Sequence, residues 1–202
     1  MRILLLLALA IPSYTQFFEL GAHAGAHRIS PNKIGSAVGE TSGNNFDTLL
    51  GNGWLFGFRM TVNQGSFFGH EFGYTYNRTQ LTFRPVVAGL GTESSQGMAI
   101  HRSGYNFMLY ATPEGTKIRP FVTGGGQFSN FVPPGASVSQ GGGENKFGVN
   151  YGAGVKFRLS DRYLIRADLR QYIQGRPFRQ FLNVDSGSFR NTEISLGFSF
   201  TL

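Results

Sequence analysis

The chain has 202 residues, enough for one domain of ordinary size, with 14% charged residues, 14% aromatics and 29 glycines. Charge lies well below the roughly 25% of an average soluble domain, and glycine is about double its usual share. Many short strands with an apolar surface account for both, although on composition alone a soluble sandwich does too. Cysteine is absent, which excludes a lipid-modified N-terminal cysteine, a thiol nucleophile and any thiolate metal site. The net charge of +7 comes without a run of Lys or Arg. It points to arginines inside a barrel and to loops against phosphate-rich lipid head groups rather than to nucleic acid.

The N-terminus reads MRILLLLALAIPSYTQ. Arg2 supplies a positive n-region, Ile3 to Ile11 an apolar stretch of nine residues, and Pro12 a break before Ser13 and Thr15. This is the pattern of a cleavable signal peptide over residues 1–15. A buried core helix is the other reading; a transmembrane helix would need about 20 apolar residues. No later segment comes near a membrane-spanning helix, so entry into a bilayer must be made with strands.

Residues 16–202 form the second unit, and period-two alternation recurs along it. In chain order, Phe18, Leu20, Ala22, Ala24 and Ala26 alternate with Glu19, Gly21, His23, Gly25 and His27. Trp54, Phe56, Phe58, Met60 and Val62 then alternate with Gly57, Arg59 and Thr61, and Phe68, Phe72, Tyr74 and Tyr76 with Gly69, Glu71, Gly73 and Thr75. Two weaker segments follow. One carries Tyr105, Phe107 and Leu109; the other, from Ile118 to Phe131, carries Val122, Phe128 and several glycines. Lys146 to Leu159 is the clearest, with Phe147, Val149, Tyr151, Val155 and Phe157 against Gly148, Asn150, Gly152, Gly154, Lys156 and Arg158. Tyr163, Ile165, Ala167 and Leu169 alternate with Arg166, Asp168 and Arg170. The last segment sets Ile194, Leu196, Phe198, Phe200 and Leu202 against Glu193, Ser195, Gly197, Ser199 and Thr201.

That makes eight strands, and the connections between them alternate strictly in length. Residues 63–66, 112–117 and 160–162 are short; residues 30–52, 77–97, 132–145 and 174–190 are long. An antiparallel barrel with short periplasmic turns and long external loops produces this alternation. The ends of a sandwich face the same solvent and give no reason for it. The predicted fold is therefore all-β: an eight-stranded antiparallel up-and-down transmembrane β-barrel.

Glycine is concentrated on the polar face, where it is useful only if room is short. The bore of an eight-stranded barrel is just wide enough to be filled by side chains. Gly, Ser and Thr interleaved with charges suit such a bore, and the Phe, Leu, Val and Tyr face then meets lipid. The charges predicted to pair in the lumen are Glu19, Arg59, Glu71, Lys156, Arg158, Arg166, Asp168, Arg170 and Glu193. Folding the second and third strands about Gly65 sets Arg59 opposite Glu71, and Asp168 reaches Lys156 or Arg158 across the turn at residues 160–162.

FGVNYGAGVKFRLSDRYLIRADLRQYI, from Phe147 to Ile173, resembles the sixth and seventh strands of small OmpA-like outer-membrane β-barrel proteins. The ending EISLGFSFTL resembles the C-terminal insertion signal read by the outer-membrane assembly machinery, carried by Ile194, Leu196, Phe198, Phe200 and Leu202, with Leu202 where Phe is usual. The resemblance implies export, location in the outer membrane of a bacterial envelope, contact with its lipid and lipopolysaccharide, and a monomeric barrel.

No catalytic, cofactor or metal site is expected. His23 and His27 share a face with Glu19, but positions i and i+4 on a strand are about 13 Å apart. A lipid-modifying hydrolase would need a Ser–His–acid set. His101 and Ser103 share a face, yet it is the apolar one and no acid sits beside them. Gly124 to Gly126 lacks the GK[ST] of a phosphate loop. The tyrosines and Trp54 suit interface girdles better than nucleic-acid stacking platforms. Two functional classes stay open: a structural or surface-interaction barrel acting through its loops, and a narrow pore or carrier of a small hydrophobic ligand.

Overall fold

The computed structural model describes residues 16–38, 45–87, 91–136, 143–178, 183–184 and 187–202. The signal segment read over residues 1–15 lies outside them. Eleven strands are present among the described residues: β1 (Gln16–Ser30), β2 (Lys33–Val38), β3 (Asn45–Leu50), β4 (Gly53–Gln64), β5 (Phe68–Pro85), β6 (Ser94–Tyr110), β7 (Ile118–Val132), β8 (Glu144–Arg158), β9 (Tyr163–Gly175), β10 (Asn183–Val184) and β11 (Ser188–Thr201).

Eight of these strands close an antiparallel barrel in the order β4-β1-β11-β9-β8-β7-β6-β5, with β5 returning to β4. The first and last strands seal the circle through an unbroken register from Glu19↔Thr201 to Ser30↔Arg190. Closure matters because an open edge in hydrocarbon leaves unpaired N–H and C=O groups at several kcal/mol each. The faces divide accordingly. Phe147 is 79% exposed and Leu196 66%, whereas Glu71 and Arg166 are each 1% exposed. The chain is inside-out relative to a soluble protein.

The external side departs from the expected layout. Residues 77–97, read as a loop, are mostly strand: β5 and β6 stay paired up to Phe83↔Ser94. Residues 30–52 contain the β2–β3 hairpin, which adds to the upper part of β5 from Phe46↔Pro85 to Leu50↔Leu81, and β10 adds to β2. The reason is a change of polarity along each strand. On β5 the outward row runs Phe68, Phe72, Tyr74, Tyr76 and then Arg78, Gln80, Thr82, Arg84. The inward row runs Gly69, Glu71, Gly73, Thr75, Asn77 and then Leu81 and Phe83. β1, β6, β7 and β11 invert in the same way, with Ile29, Ile100, Phe131 and Phe189 turning inward. Above the bilayer, water lies outside the wall and the ordinary rule of apolar residues inside returns. Nine of the residues so enclosed, including Ile34, Leu50, Met98 and Phe178, form a contiguous apolar plug in the external mouth.

At the opposite end the turns are tight. The β4–β5 hairpin ends at Gln64↔Phe68, leaving Gly65, Ser66 and Phe67 as a three-residue turn. Gly65 takes φ 67° there, a left-handed conformation that suits glycine. On β8, Gly154 lets the wall approach the Phe121 ring: a Cβ at that position would lie 2.4 Å from Phe121 Cζ and 2.4 Å from the Ala167 carbonyl oxygen. Gly152 makes similar room for Arg170.

Two outcomes follow from closure and this packing. Protein extracted in detergent is expected to migrate at different positions on a gel before and after boiling, since a closed barrel resists the detergent. Gly154→Val is expected to remove the unboiled, folded band. A variant band that still shifts like that of the parent would mean the wall yields at this point.

Candidate functional site

The alternation that sends apolar side chains into lipid sends every opposite residue into a bore too narrow to hold charges apart. They meet across it in three layers. Nearest the short turns, Lys156 Nζ donates to the Glu19 carboxylate at 2.7 and 2.9 Å and to Tyr110 Oη at 2.8 Å. Asn63 Nδ2 donates to Glu19 Oε1 at 2.7 Å and Tyr110 Oη to Asn63 Oδ1 at 2.6 Å. Below them, Arg158 Nη2 lies 2.8 Å from Glu114 Oε1, Arg119 pairs with the same carboxylate, and the Arg119 guanidinium stacks 3.4 Å from the Tyr110 ring centroid.

The central layer holds two carboxylates among three guanidinium groups. Asp168 is 2.7 Å from Arg59, 2.7 Å from Arg166 and 3.1 Å from Arg170; Glu71 is 2.5 Å from Arg166 and 2.6 Å from Arg170. Arg59 Nε also donates to His23 Nδ1 at 3.2 Å. All five charged side chains are 8% exposed or less, so bulk solvent hardly reaches them. In the third layer Arg102 pairs with Glu193, donates through Nε to Ser129 Oγ at 3.3 Å and lies 3.9 Å from the Tyr172 ring centroid. Asn77 Nδ2 donates to Glu193 Oε1 at 3.1 Å.

The register corrects two expected pairings. Arg59 stands opposite Gly73 and Glu71 opposite Thr61, because the β4–β5 turn is centred on Ser66 rather than Gly65. Asp168 stands opposite Gly154, and Lys156 opposite Arg166, so neither Lys156 nor Arg158 meets Asp168. Lys156 instead crosses the bore to Glu19, and Arg158 turns to Glu114 in the adjoining β6–β7 turn. The partners of Lys156, Arg59 and Glu71 are set by the circumference of the barrel and not by neighbouring strands. Arg102 and Asn63 were legible from parity but not singled out. Glu114 sits in a turn, where alternation says nothing of direction.

Between the central and third layers lies a cavity of about 30 Å³ lined by His23, Glu71, Thr75, Arg102, Arg170 and Tyr172. It has room for one or two water molecules. The apolar plug closes the bore above it. Outside the wall, His70 Nδ1 is 2.6 Å from Tyr105 Oη and His101 Nδ1 is 2.7 Å from Tyr74 Oη, which satisfies four polar groups that face lipid. Among the described residues, no three metal-ligating side chains converge. Ile194, Leu196 and Phe198 project outward from β11, and Leu202 N donates to the Phe18 carbonyl at 2.8 Å.

Glu71→Gln leaves Arg166 and Arg170 competing for the one remaining carboxylate, Asp168, in a buried site. Breaking a buried pair typically costs about 3–5 kcal/mol, so the urea midpoint of the folded barrel in micelles is expected to fall sharply. Glu93→Gln, which removes an exposed partner of Arg84, is expected to change stability by about 0.5 kcal/mol or less. Equal losses in the two variants would refute the distinction.

Comparison with known proteins agrees with this architecture. The structure is similar to that of the outer membrane protein OprG from Pseudomonas aeruginosa, with a TM-score of 0.62 at 11% identity, covering 93% of this chain and 95% of that one. It is also similar to the outer membrane protein AlkL in lipid bilayers (TM-score 0.60, 15% identity, 95% and 93% covered). The N-terminal barrel of Pseudomonas aeruginosa OprF gives a TM-score of 0.52 at 14% identity, with 92% and 97% covered. At these identities the likeness concerns the fold. No curated protein sequence matches the chain significantly. The family model of the outer membrane protein beta-barrel domain matches residues 2–201, and the chain belongs to that family of outer-membrane β-barrels.

Proposed function

We propose that this chain is a sealed surface-interaction barrel: a non-enzymatic outer-membrane protein whose lumen serves to hold the wall rigid while its external segments make contacts. The filled bore carries this reading. Three layers of ion pairs and an apolar plug of nine side chains stand in series between the two mouths. A solute would have to break several buried pairs at once. The expected partners are outer-leaflet lipid and lipopolysaccharide outside, with the assembly machinery reading the C-terminal strand during insertion of a monomer. Nucleic acid is not a partner on this reading, and no cofactor is required.

The reading predicts electrical silence. Protein inserted in a planar bilayer is expected to leave conductance at background, and steady single-channel steps would favour the pore instead. One observation favours a carrier of a small hydrophobic ligand as a second reading. A lipid-facing depression bordered by Phe58, Phe72, Tyr74, Tyr105 and Phe128 shares Arg59, Gly73 and Gly104 with the lumen cavity, so the wall between the two is thin at these glycines. Saturable uptake of an apolar fluorophore into protein-containing vesicles, absent from empty ones, would favour it.

A further inference from the structure

At the height where the strands change polarity, one side of the outer wall is basic. Arg190 on β11, Arg28 on β1 and Arg78 on β5 all face outward and are exposed. Trp54, on β4 between β1 and β5, is register partner to both Ala26 and Arg78. Arg28 pairs with Thr192 and Ser30 with Arg190, so Arg28 and Arg190 are diagonal neighbours on adjoining strands. Four contiguous strands thus contribute one residue each to a diagonal band, about 15 Å across the strands at roughly 4.8 Å each and about 13 Å along them, from the level of Ser30 to that of Ala26.

Three features separate this band from ordinary surface charge. First, among the described residues none of the three arginines takes part in an ion pair. The cations above the band do: Lys33 is 2.8 Å from Asp47 and Arg84 2.8 Å from Glu93. Second, the Arg78 guanidinium lies against the wall over Gly97, where a Cβ would approach its Nη2 to 2.1 Å. Third, the surface immediately below is greasy, with Phe56, Phe58, Ile194 and Leu196 all more than two-fifths exposed. Charge above an apolar wall fits an amphiphile with an anionic head and acyl chains, and fits neither a soluble anion nor a nucleic acid.

We infer that Arg28, Arg78 and Arg190 form a docking site for the phosphate groups of an outer-leaflet glycolipid, its acyl chains lying on the wall beneath. The inference rests on the reading of the chain as a surface barrel facing that leaflet, and narrows its partner to a phosphorylated lipid held at one side of the barrel. Guanidinium groups offer the forked donors that match phosphate oxygens. Trp54 lies inside the band, and it is the only tryptophan of the chain.

That tryptophan makes the test direct. Barrel in mixed micelles is titrated with lipid A bearing two phosphates while Trp54 emission is followed. A saturable change is expected. The Arg28→Gln/Arg78→Gln/Arg190→Gln variant, checked for the unboiled gel band, is expected to bind on the order of 100-fold more weakly, since each cation near an anionic lipid surface is worth about fivefold. Lys117→Gln/Arg162→Gln, at the opposite rim, is expected to bind as the parent does. Affinity of the triple variant within twofold of the parent, equal binding of dephosphorylated lipid A, or displacement by millimolar inorganic phosphate would each overturn the assignment. A channel seen in conductance would reject the sealed-barrel reading and leave this result standing.

Discussion

The structure depends on the demand that every backbone N–H and C=O inside hydrocarbon find a partner within the protein. Among sheets only a closed one meets it. With eight strands, closure fixes a bore that side chains must fill. The ladder from Glu19↔Thr201 to Ser30↔Arg190, which joins the two ends of the chain, is therefore the element on which the rest relies. Once it forms, the inward residues of eight strands lie within reach of one another and cannot avoid interacting. The charged lumen is a consequence of closure before it is anything else.

What fills that lumen was chosen under opposing pressures. Desolvating an ion is expensive, and a buried pair often adds little stability over an apolar pair of the same size. The central layer answers with multiplicity: each carboxylate meets at least two guanidinium groups, so each oxygen of Asp168 has a donor and Arg166 bridges both acids. Such a cluster fixes strand order and register, because a one-residue slip would turn Glu71 or Arg166 toward lipid. An apolar lumen would tolerate that slip more easily. Specificity of assembly is the better account of the network than net stability.

The strands inside the bilayer were legible because their alternation has a single sense there. Phe147 to Phe157 and Ile194 to Leu202 declare their faces without help from the fold. The upper halves of β5 and β6 were not legible by the same rule, since beyond Tyr76 the outward residues are Arg78, Gln80 and Thr82. The alternation continues there with its meaning reversed, and an eye following one sense sees it stop. Pairings in the lumen failed for a different reason. Cross-strand register can be argued from a turn, but Lys156 and Glu19 lie 137 positions apart on strands that are not neighbours, and only the closed circumference brings them together. Charges that share a face can be named from sequence; their partners require the circle.

The reversal carries information beyond strand length. Within one strand the outward side chain changes from Tyr76 to Arg78 in a single repeat, about 6.6 Å along the wall. On β1 the corresponding step runs from Ala26 to Arg28. Such a short transition marks the plane where hydrocarbon ends, because an arginine below it would be costly and an apolar ring far above it would gain nothing. The enclosed rows respond at nearly the same height, where His27 gives way to Ile29 and Asn191 to Phe189. Solvent on the outside thus dictates composition on the inside. The apolar plug belongs where it is because above that plane the barrel is, locally, a soluble protein with a soluble protein's core.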